Sequence, residues 1–202
     1  MVAAPTIEIR LLGDFSLTYN GRLIDGVNTP RLQALVAYLA LHRDAPQLRQ
    51  HLAFLFWPDS SEGQARNNLR QLLHALRRAA PSLDALLTID NRTLQWRSDT
   101  ALQLDVDDFE RACALVEQAS QQRNDVTPQS AAAQVIESYQ GDLLPGCYDD
   151  WLTPVRVRLR ERFTQALNWL IGIYEAQHDF AAAIRCARHL QRTDPQIGRA
   201  HV

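Results

Sequence analysis

Residues 60–79, SSEGQARNNLRQLLHALRRA, contain the most informative helix pattern in the chain. Pro58-Asp59 interrupts the preceding segment. Ser61 with Gln64 three residues later fits a capping box, so a helix is predicted to begin near Ser61. At 100° per residue, the apolar side chains fall on a single stripe: Ala65, Leu69, Leu72, Leu73 and Leu76. This stripe predicts a face that packs against the rest of its domain.

The opposite face of this helix carries polar side chains that suit contact with DNA. It has two arginines, three other hydrogen-bonding residues and no carboxylate: Gly63, Asn67, Arg70, Gln71, His74 and Arg78. Arg matches guanine O6 and N7 in the major groove, Asn and Gln match adenine, and Arg also neutralises phosphates. An ordinary surface helix whose polar side is solvated would show the same pattern, so the neighbouring segments must decide.

Length and composition restrict the class of protein. The 202 residues leave room for one large or two small domains, and a hydrophobic fraction of 46% is normal for a chain that buries a core. There is no run of 18 apolar residues and no basic-then-apolar leader, which predicts neither a membrane span nor secretion. Cys113, Cys147 and Cys186 lack zinc-site spacing, so we expect a cytoplasmic protein with buried, apolar cysteines.

Charge is unevenly distributed along the chain. The net charge of −2 argues by itself against a strongly basic nucleic-acid-binding protein. Residues 1–100, however, carry 11 arginines against 9 acidic residues, a balance of +2, whereas residues 101–202 carry 10 arginines against 14, a balance of −4. By charge, the first half is therefore the better candidate for contact with DNA.

Short strands and two further helices are predicted before residues 60–79. The strands form a small antiparallel sheet from IEIRL (7–11), FSLTY (15–19) and RLI (22–24). Thr29-Pro30 starts a helix that runs to about His42. A second, short helix follows and ends at Trp57-Pro58, about four residues before the next helix begins. That spacing is typical of a helix-turn-helix.

A hairpin is predicted after the third helix. The apolar segment LLTI precedes Asp90-Asn91-Arg92, and TLQWR follows at residues 93–97, which indicates two strands joined by a polar tip. Helices and hairpin together predict a winged helix-turn-helix. Its wing would place Arg92, with Arg97 as a second candidate, near the adjacent minor groove or the DNA backbone.

Four segments of the chain resemble a known family. LLGDFSL, LVAYLALHR, LFWPDSSEGQARNNLRQLLHALRRA and LDVDDFERA, in this order, are similar to the bacterial activators called SARPs, the Streptomyces antibiotic regulatory proteins. The resemblance spans nearly the whole chain. It implies a mainly α fold with a small β-sheet: an OmpR-type winged helix-turn-helix at 1–100, then an all-α, TPR-like bacterial transcriptional activator domain at 101–202. Residues 60–79 would be the recognition helix.

The second half of the chain predicts a series of helices. The acidic residues around Asp105 suit the first turn of a helix, and they lack the glycine and the spacing of a calcium-binding EF-hand. Further helices are predicted from Thr127-Pro128, from Trp151 to about Gln177, and in 178–195. Four alternating arginines are spread around the long helix, so we expect them to be solvated or paired with carboxylates rather than bound to phosphate: Arg156, Arg158, Arg160 and Arg162.

The end of the chain predicts an incomplete helical domain. Residues 178–195 resemble the second helix of a tetratricopeptide repeat, and a single such repeat cannot cover its own apolar face. We therefore expect either a fragment of a longer regulator or a minimal form that forms a homodimer through the helical domain.

The leading functional hypothesis is a sequence-specific DNA-binding transcriptional regulator. Its contacts with double-stranded DNA are predicted at Asn67, Arg70, Gln71, His74, Arg78 and Arg92. The resemblance implies an activator that binds promoter repeats and recruits RNA polymerase. The alternative is a helical protein–protein interaction adaptor without specific DNA binding.

An enzyme is not expected. The six histidines form no HExxH pair, and neither GxSxG nor a paired-carboxylate arrangement stands out. We therefore predict no catalytic residues, no metal and no cofactor.

Overall fold

The computed structural model describes residues 6–84, 86–97, 101–122 and 128–193. Within them the chain forms two compact units. The first unit contains the described residues up to Leu104 together with Leu144–Leu152, and the second contains Asp105–Leu143 and the chain from Thr153 onward. The division expected between residues 100 and 101 differs from this, because the first unit extends to Leu104 and takes up a segment from the second half.

The first unit begins with a mixed sheet whose strands lie in the order β3, β2, β1, β7: β1 (Thr6–Arg10), β2 (Ser16–Tyr19), β3 (Arg22–Leu23) and β7 (Ala101–Leu104). The three predicted strands are present and antiparallel. β7 pairs parallel to β1, with Leu102 opposite Ile7. This fourth strand is not predicted from the sequence, because four residues directly before a helix are too few to show an alternating pattern.

Three helices follow β3: α1 (Pro30–Leu41), α2 (Arg49–Phe56) and α3 (Glu62–Ala79). Thr29 caps α1 as predicted, since its hydroxyl accepts a hydrogen bond from the Leu32 backbone N–H. Eight of the twelve residues of α1 are buried, so this helix forms the centre of the unit. Trp57 ends α2, and its backbone N–H donates to the Ala53 carbonyl at 3.1 Å. α2, the following turn and α3 form the predicted helix-turn-helix.

The predicted hairpin forms the wing, β5 (Leu87–Ile89) and β6 (Thr93–Trp96), and β4 (Gln47–Leu48) pairs with β6 as a third strand. A short helix that is not predicted, α4 (Pro81–Asp84), connects α3 to the wing. Because Leu48 lies opposite Thr93, the first residue of α2 comes beside the wing tip. There the Arg49 backbone N–H donates to the Arg92 carbonyl at 2.8 Å.

The segment Leu144–Leu152, which we call the strap, belongs to the first unit. The sequence GDLLPG at 141–146 predicts only a turn-rich link. In the structure the strap contacts the first unit along its length: Leu144 with Leu11, Cys147 with Pro30, Asp149 with Arg31, and Trp151 with Tyr38 and Phe56. The strap therefore completes the core of the first unit.

Four helices build the described part of the second unit: α5 (Asp105–Gln122), α6 (Pro128–Ser138), α7 (Leu152–Ala176), which starts at the end of the strap, and α8 (Phe180–Thr193). Tyr139 and Phe163 stack with ring centroids 4.4 Å apart, and Phe109 lies 5.2 Å from Tyr139. The three cysteines are free and buried, as expected.

The predicted fold class, a winged helix-turn-helix followed by an all-α domain, is confirmed.

The alternating arginines of α7 are engaged inside the second unit. Three of them form ion pairs and the fourth donates to a carbonyl: Arg158 with Glu110, Arg160 with Asp142, Arg162 with Glu117, and Arg156 with the Leu143 oxygen. Pairing with carboxylates, rather than a phosphate-binding patch, is therefore confirmed for three of these residues.

Candidate DNA-binding surface

The apolar stripe of α3 is buried as predicted. The buried residues of the helix are the five of the predicted stripe: Ala65, Leu69, Leu72, Leu73 and Leu76. Ser61 is the N-cap, and its hydroxyl accepts from the Gln64 backbone N–H at 3.4 Å. The Gln64 side chain donates to Asn68 at 2.8 Å, and this contact takes it away from the reciprocal bond of a capping box. Helix α3 is therefore fixed by packing and by the Ser61 cap.

The opposite face of α3 is open to solvent. Arg70, Gln71, His74 and Arg78 are exposed, and Asn67 is half-buried. Within the part of the chain that the structure describes, none of these side chains takes part in a hydrogen bond or ion pair. Unpaired amide and guanidinium groups along one helix face can bind a ligand without first breaking a contact within the protein.

A single carboxylate organises the tip of the wing. Asp90 accepts hydrogen bonds from the Arg92 N–H at 2.6 Å, the Thr93 N–H at 2.7 Å and the Thr93 hydroxyl at 2.8 Å. These bonds favour the ionised form and lower the pKa of Asp90, with the Arg92 N–H as the largest cause. The tip presents Arg92 beside Arg49, whose guanidinium donates to the Asp90 carbonyl at 3.1 Å.

We expect Asp90→Asn to loosen the wing tip, because an amide is a weaker acceptor than a carboxylate for two backbone N–H groups. Hydrogen exchange of the Arg92 and Thr93 amides should become faster in this variant. In the wild type the same two amides should lose protection from exchange as the pH falls. The loss begins below the ordinary pKa of aspartate and is complete once the pH has passed through the lower pKa that Asp90 has in the folded protein. Unchanged exchange in Asp90→Asn at neutral pH would show that the carboxylate does not hold the tip.

A cleft of about 570 Å³ lies where α2, α3 and the wing meet, and we call it the four-arginine cleft. Its lining residues come from all three elements: Leu48, Arg49, Gln50, Arg66, Leu69, Arg70, Asn91 and Arg92. The structure thus brings together two of the predicted DNA contacts, Arg70 and Arg92. Arg78 lies eight residues beyond Arg70 on α3, or about 12 Å along the helix axis, and is not among the lining residues.

Sequence reasoning missed Arg49 and Arg66 as members of this surface. Arg66 could have been found, because on the helical wheel it lies at the edge of the polar face, 40° from Arg70. Arg49 offers no such signal. It reaches the cleft only because the two-residue strand β4 pairs with β6, 45 positions further along the chain at Thr93.

Among residues 6–84, 86–97, 101–122 and 128–193, no group of three or more His, Cys, Asp or Glu side chains is placed to hold a metal ion. None of the described helices combines the length and the apolar composition that a membrane crossing requires.

Comparison with known proteins shows a likeness in fold. No family model matches the chain, and no curated protein matches it in sequence. The chain is similar to the structure of Mycobacterium tuberculosis EmbR in complex with a low-affinity phosphopeptide, with a TM-score of 0.71 and 19% sequence identity. The likeness covers 93% of this chain and 50% of the EmbR chain, so this chain spans half of that protein's length. The likeness supports the fold that the sequence predicts, a winged helix-turn-helix followed by a helical domain.

Proposed function

We propose that the chain is a sequence-specific DNA-binding transcriptional regulator. In this proposal α3 enters the major groove, and the wing contacts the adjacent minor groove or the backbone. The observation that carries it is the exposed face of α3, whose amide and guanidinium side chains have no partner among the described residues. These are the groups that match base edges and phosphates.

The proposal extends to activation of transcription. The resemblance to SARPs supports an activator that binds promoter repeats in double-stranded DNA and recruits RNA polymerase, with a homodimer through the helical unit as one way to occupy two repeats. Transcription in vitro from a promoter that carries the selected site tests this step, because an activator raises the transcript level whereas a repressor lowers it.

The DNA-binding step is tested with the full chain and an operator selected from random-sequence DNA. Asn67→Ala and Arg70→Ala should each weaken operator binding. Loss of a bidentate base contact costs about 1–3 kcal/mol, which is roughly 5- to 150-fold in Kd, and loss of a phosphate contact by Arg70 costs roughly eightfold at about 0.1 M salt. Both side chains lie off the buried stripe of α3, so the unfolding midpoint should not change. Fluorescence anisotropy measures the affinity and circular dichroism measures the unfolding.

Arg188→Ala is the matched control for charge. Arg188 is exposed on α8 in the second unit, and it has no partner among the described residues. Its loss should leave operator affinity unchanged. Equal affinities for wild type, Asn67→Ala and Arg70→Ala would show that this face of α3 does not bind DNA.

The adaptor function remains the alternative because α8 presents apolar side chains to solvent. Phe180 and Ile184, one helical turn apart, are 58% and 53% exposed, and the neighbouring Arg188 has no partner among the described residues. Exposed apolar residues of this kind occur at protein–protein contacts. An adaptor without DNA binding predicts no complex with any duplex even at low salt, whereas a regulator predicts specific affinity with a steep salt dependence.

A further inference from the structure

A protein that contacts two adjacent grooves must straddle one sugar-phosphate strand, since a single strand separates the major groove from the minor groove beside it. In the proposed complex α3 lies in the major groove and the wing lies at the minor groove. The four-arginine cleft is bounded by both elements, with Arg66 and Arg70 on α3 and Arg92 on the wing. The strand that passes between α3 and the wing therefore crosses this cleft.

The cleft has the chemistry of a phosphate site. Four guanidinium groups line it, from Arg49, Arg66, Arg70 and Arg92, and no carboxylate is among its described lining residues. Guanidinium binds phosphate oxygens through two parallel hydrogen bonds and keeps its charge at any physiological pH.

Two carboxylates lie near the cleft, and they neutralise only part of its positive charge. Glu62 forms an ion pair with Arg66, one turn away on α3. Asp90 is turned to the wing, where it accepts the three hydrogen bonds from Arg92 and Thr93. The guanidinium groups of Arg70 and Arg92 have no partner among the described residues. At least these two are available to phosphate oxygens.

We propose that the four-arginine cleft clamps the backbone phosphates of the strand between the two grooves, so that it contributes affinity without reading sequence. The bases are then contacted by the neighbouring side chains on the same face of α3, which are Asn67, Gln71 and His74. The sequence alone allows Arg70 to contact either a base or a phosphate. Because Arg70 lines the cleft, we assign it to the phosphate backbone of the DNA. This inference rests on the proposed function, because it needs a DNA complex.

The test compares Arg92→Gln and Arg70→Gln with the wild-type chain, on the selected operator and on an unrelated duplex, over a range of salt concentrations. Loss of one phosphate contact should reduce the slope of log K against log salt by about 0.9, which corresponds to a roughly eightfold weakening at about 0.1 M salt. The weakening should be the same on both duplexes. Asn67→Ala should weaken the operator complex alone, and Arg188→Gln should change neither the slope nor the affinity.

A neutral methylphosphonate, placed in the operator where the DNA strand crosses the cleft, tests this single phosphate contact. Replacing one charged phosphate of the operator should weaken wild-type binding by a similar factor and should weaken Arg92→Gln no further, because that contact is already lost. A loss confined to the operator with an unchanged salt slope would show that these arginines read bases, and the clamp would be wrong. Failure of the wild type to bind any duplex at low salt would instead refute the proposed function.

Discussion

Gly26→Ala should destabilise the first unit by about 3 kcal/mol or more, because the added methyl group has no space. A Cβ on Gly26 would lie 2.0 Å from the carbonyl oxygen of Ala79, 2.7 Å from its carbonyl carbon and 2.9 Å from its Cα. These are backbone atoms at the last residue of α3. No side-chain rotation can relieve the overlap, so either the loop before α1 or the end of α3 must move.

The expected result is a fall in the unfolding midpoint of roughly 6–12 °C, measured by circular dichroism. Gly172→Ala is the control, since Gly172 lies within α7, four residues before its last residue, and an added Cβ would meet nothing within 4 Å apart from its chain neighbours and the nearby backbone of its own helix. That substitution should raise stability by about 0.5–1 kcal/mol, because alanine restricts the unfolded chain and favours helix. A Gly26→Ala variant as stable as the wild type would mean that the loop and the end of α3 can separate at little cost.

The position of Gly26 also bears on DNA binding. The close approach of its backbone to Ala79 fixes the C-terminal end of α3, while the Ser61 cap fixes the N-terminal end. A helix held at both ends presents its outward side chains in one orientation, which sequence-specific readout requires. Any shift that accommodates Gly26→Ala should therefore weaken operator binding more than binding to unrelated DNA.

Helix α3 could be predicted residue by residue, whereas the four-arginine cleft could not. The five buried residues of α3 follow a 3.6-residue period within a single 18-residue helix, so local sequence determines which face packs. Arg49 and Arg92 meet because β4 pairs with β6. A two-residue strand carries no period from which its partner or register could be read.

The packing of the strap could not be predicted from the sequence either, because its contacts join residues that are still further apart in the chain. Asp149 pairs with Arg31, 118 residues earlier in the chain. Neither residue belongs to a motif, and a Pro- and Gly-containing stretch ordinarily predicts an exposed connection. Its role in the first unit follows from tertiary contacts that only the folded chain brings together.

The pairing of Asp149 with Arg31 connects the strap to the turn of the helix-turn-helix. The Arg31 guanidinium lies over the rings of Phe56, at 5.9 Å, and Trp57, at 5.4 Å. Phe56 is the last residue of α2 and Trp57 opens the turn before α3. The strap thus supports the turn from which the proposed recognition helix begins.

Trp151→Ala should destabilise the first unit by about 3 kcal/mol. The indole packs edge-on against Tyr38, with ring centroids 5.1 Å apart at 90°, and lies 6.4 Å from Phe56. Its N–H is buried without a hydrogen-bond partner among the described residues, so the contribution of Trp151 comes from packing alone. The value is at the lower end for loss of a tryptophan because the side chain is only half-buried.

Tyr148→Ala provides the control within the same segment, since Tyr148 is 89% exposed and its removal should change stability by less than about 0.5 kcal/mol. Urea unfolding followed by circular dichroism avoids the loss of a fluorescent tryptophan and compares both variants with the wild type. If Trp151→Ala and Tyr148→Ala unfold at the same urea concentration, the strap covers the first unit without stabilising it. If only Trp151→Ala is destabilised, residues from the second half of the chain are part of the folding unit that carries α3.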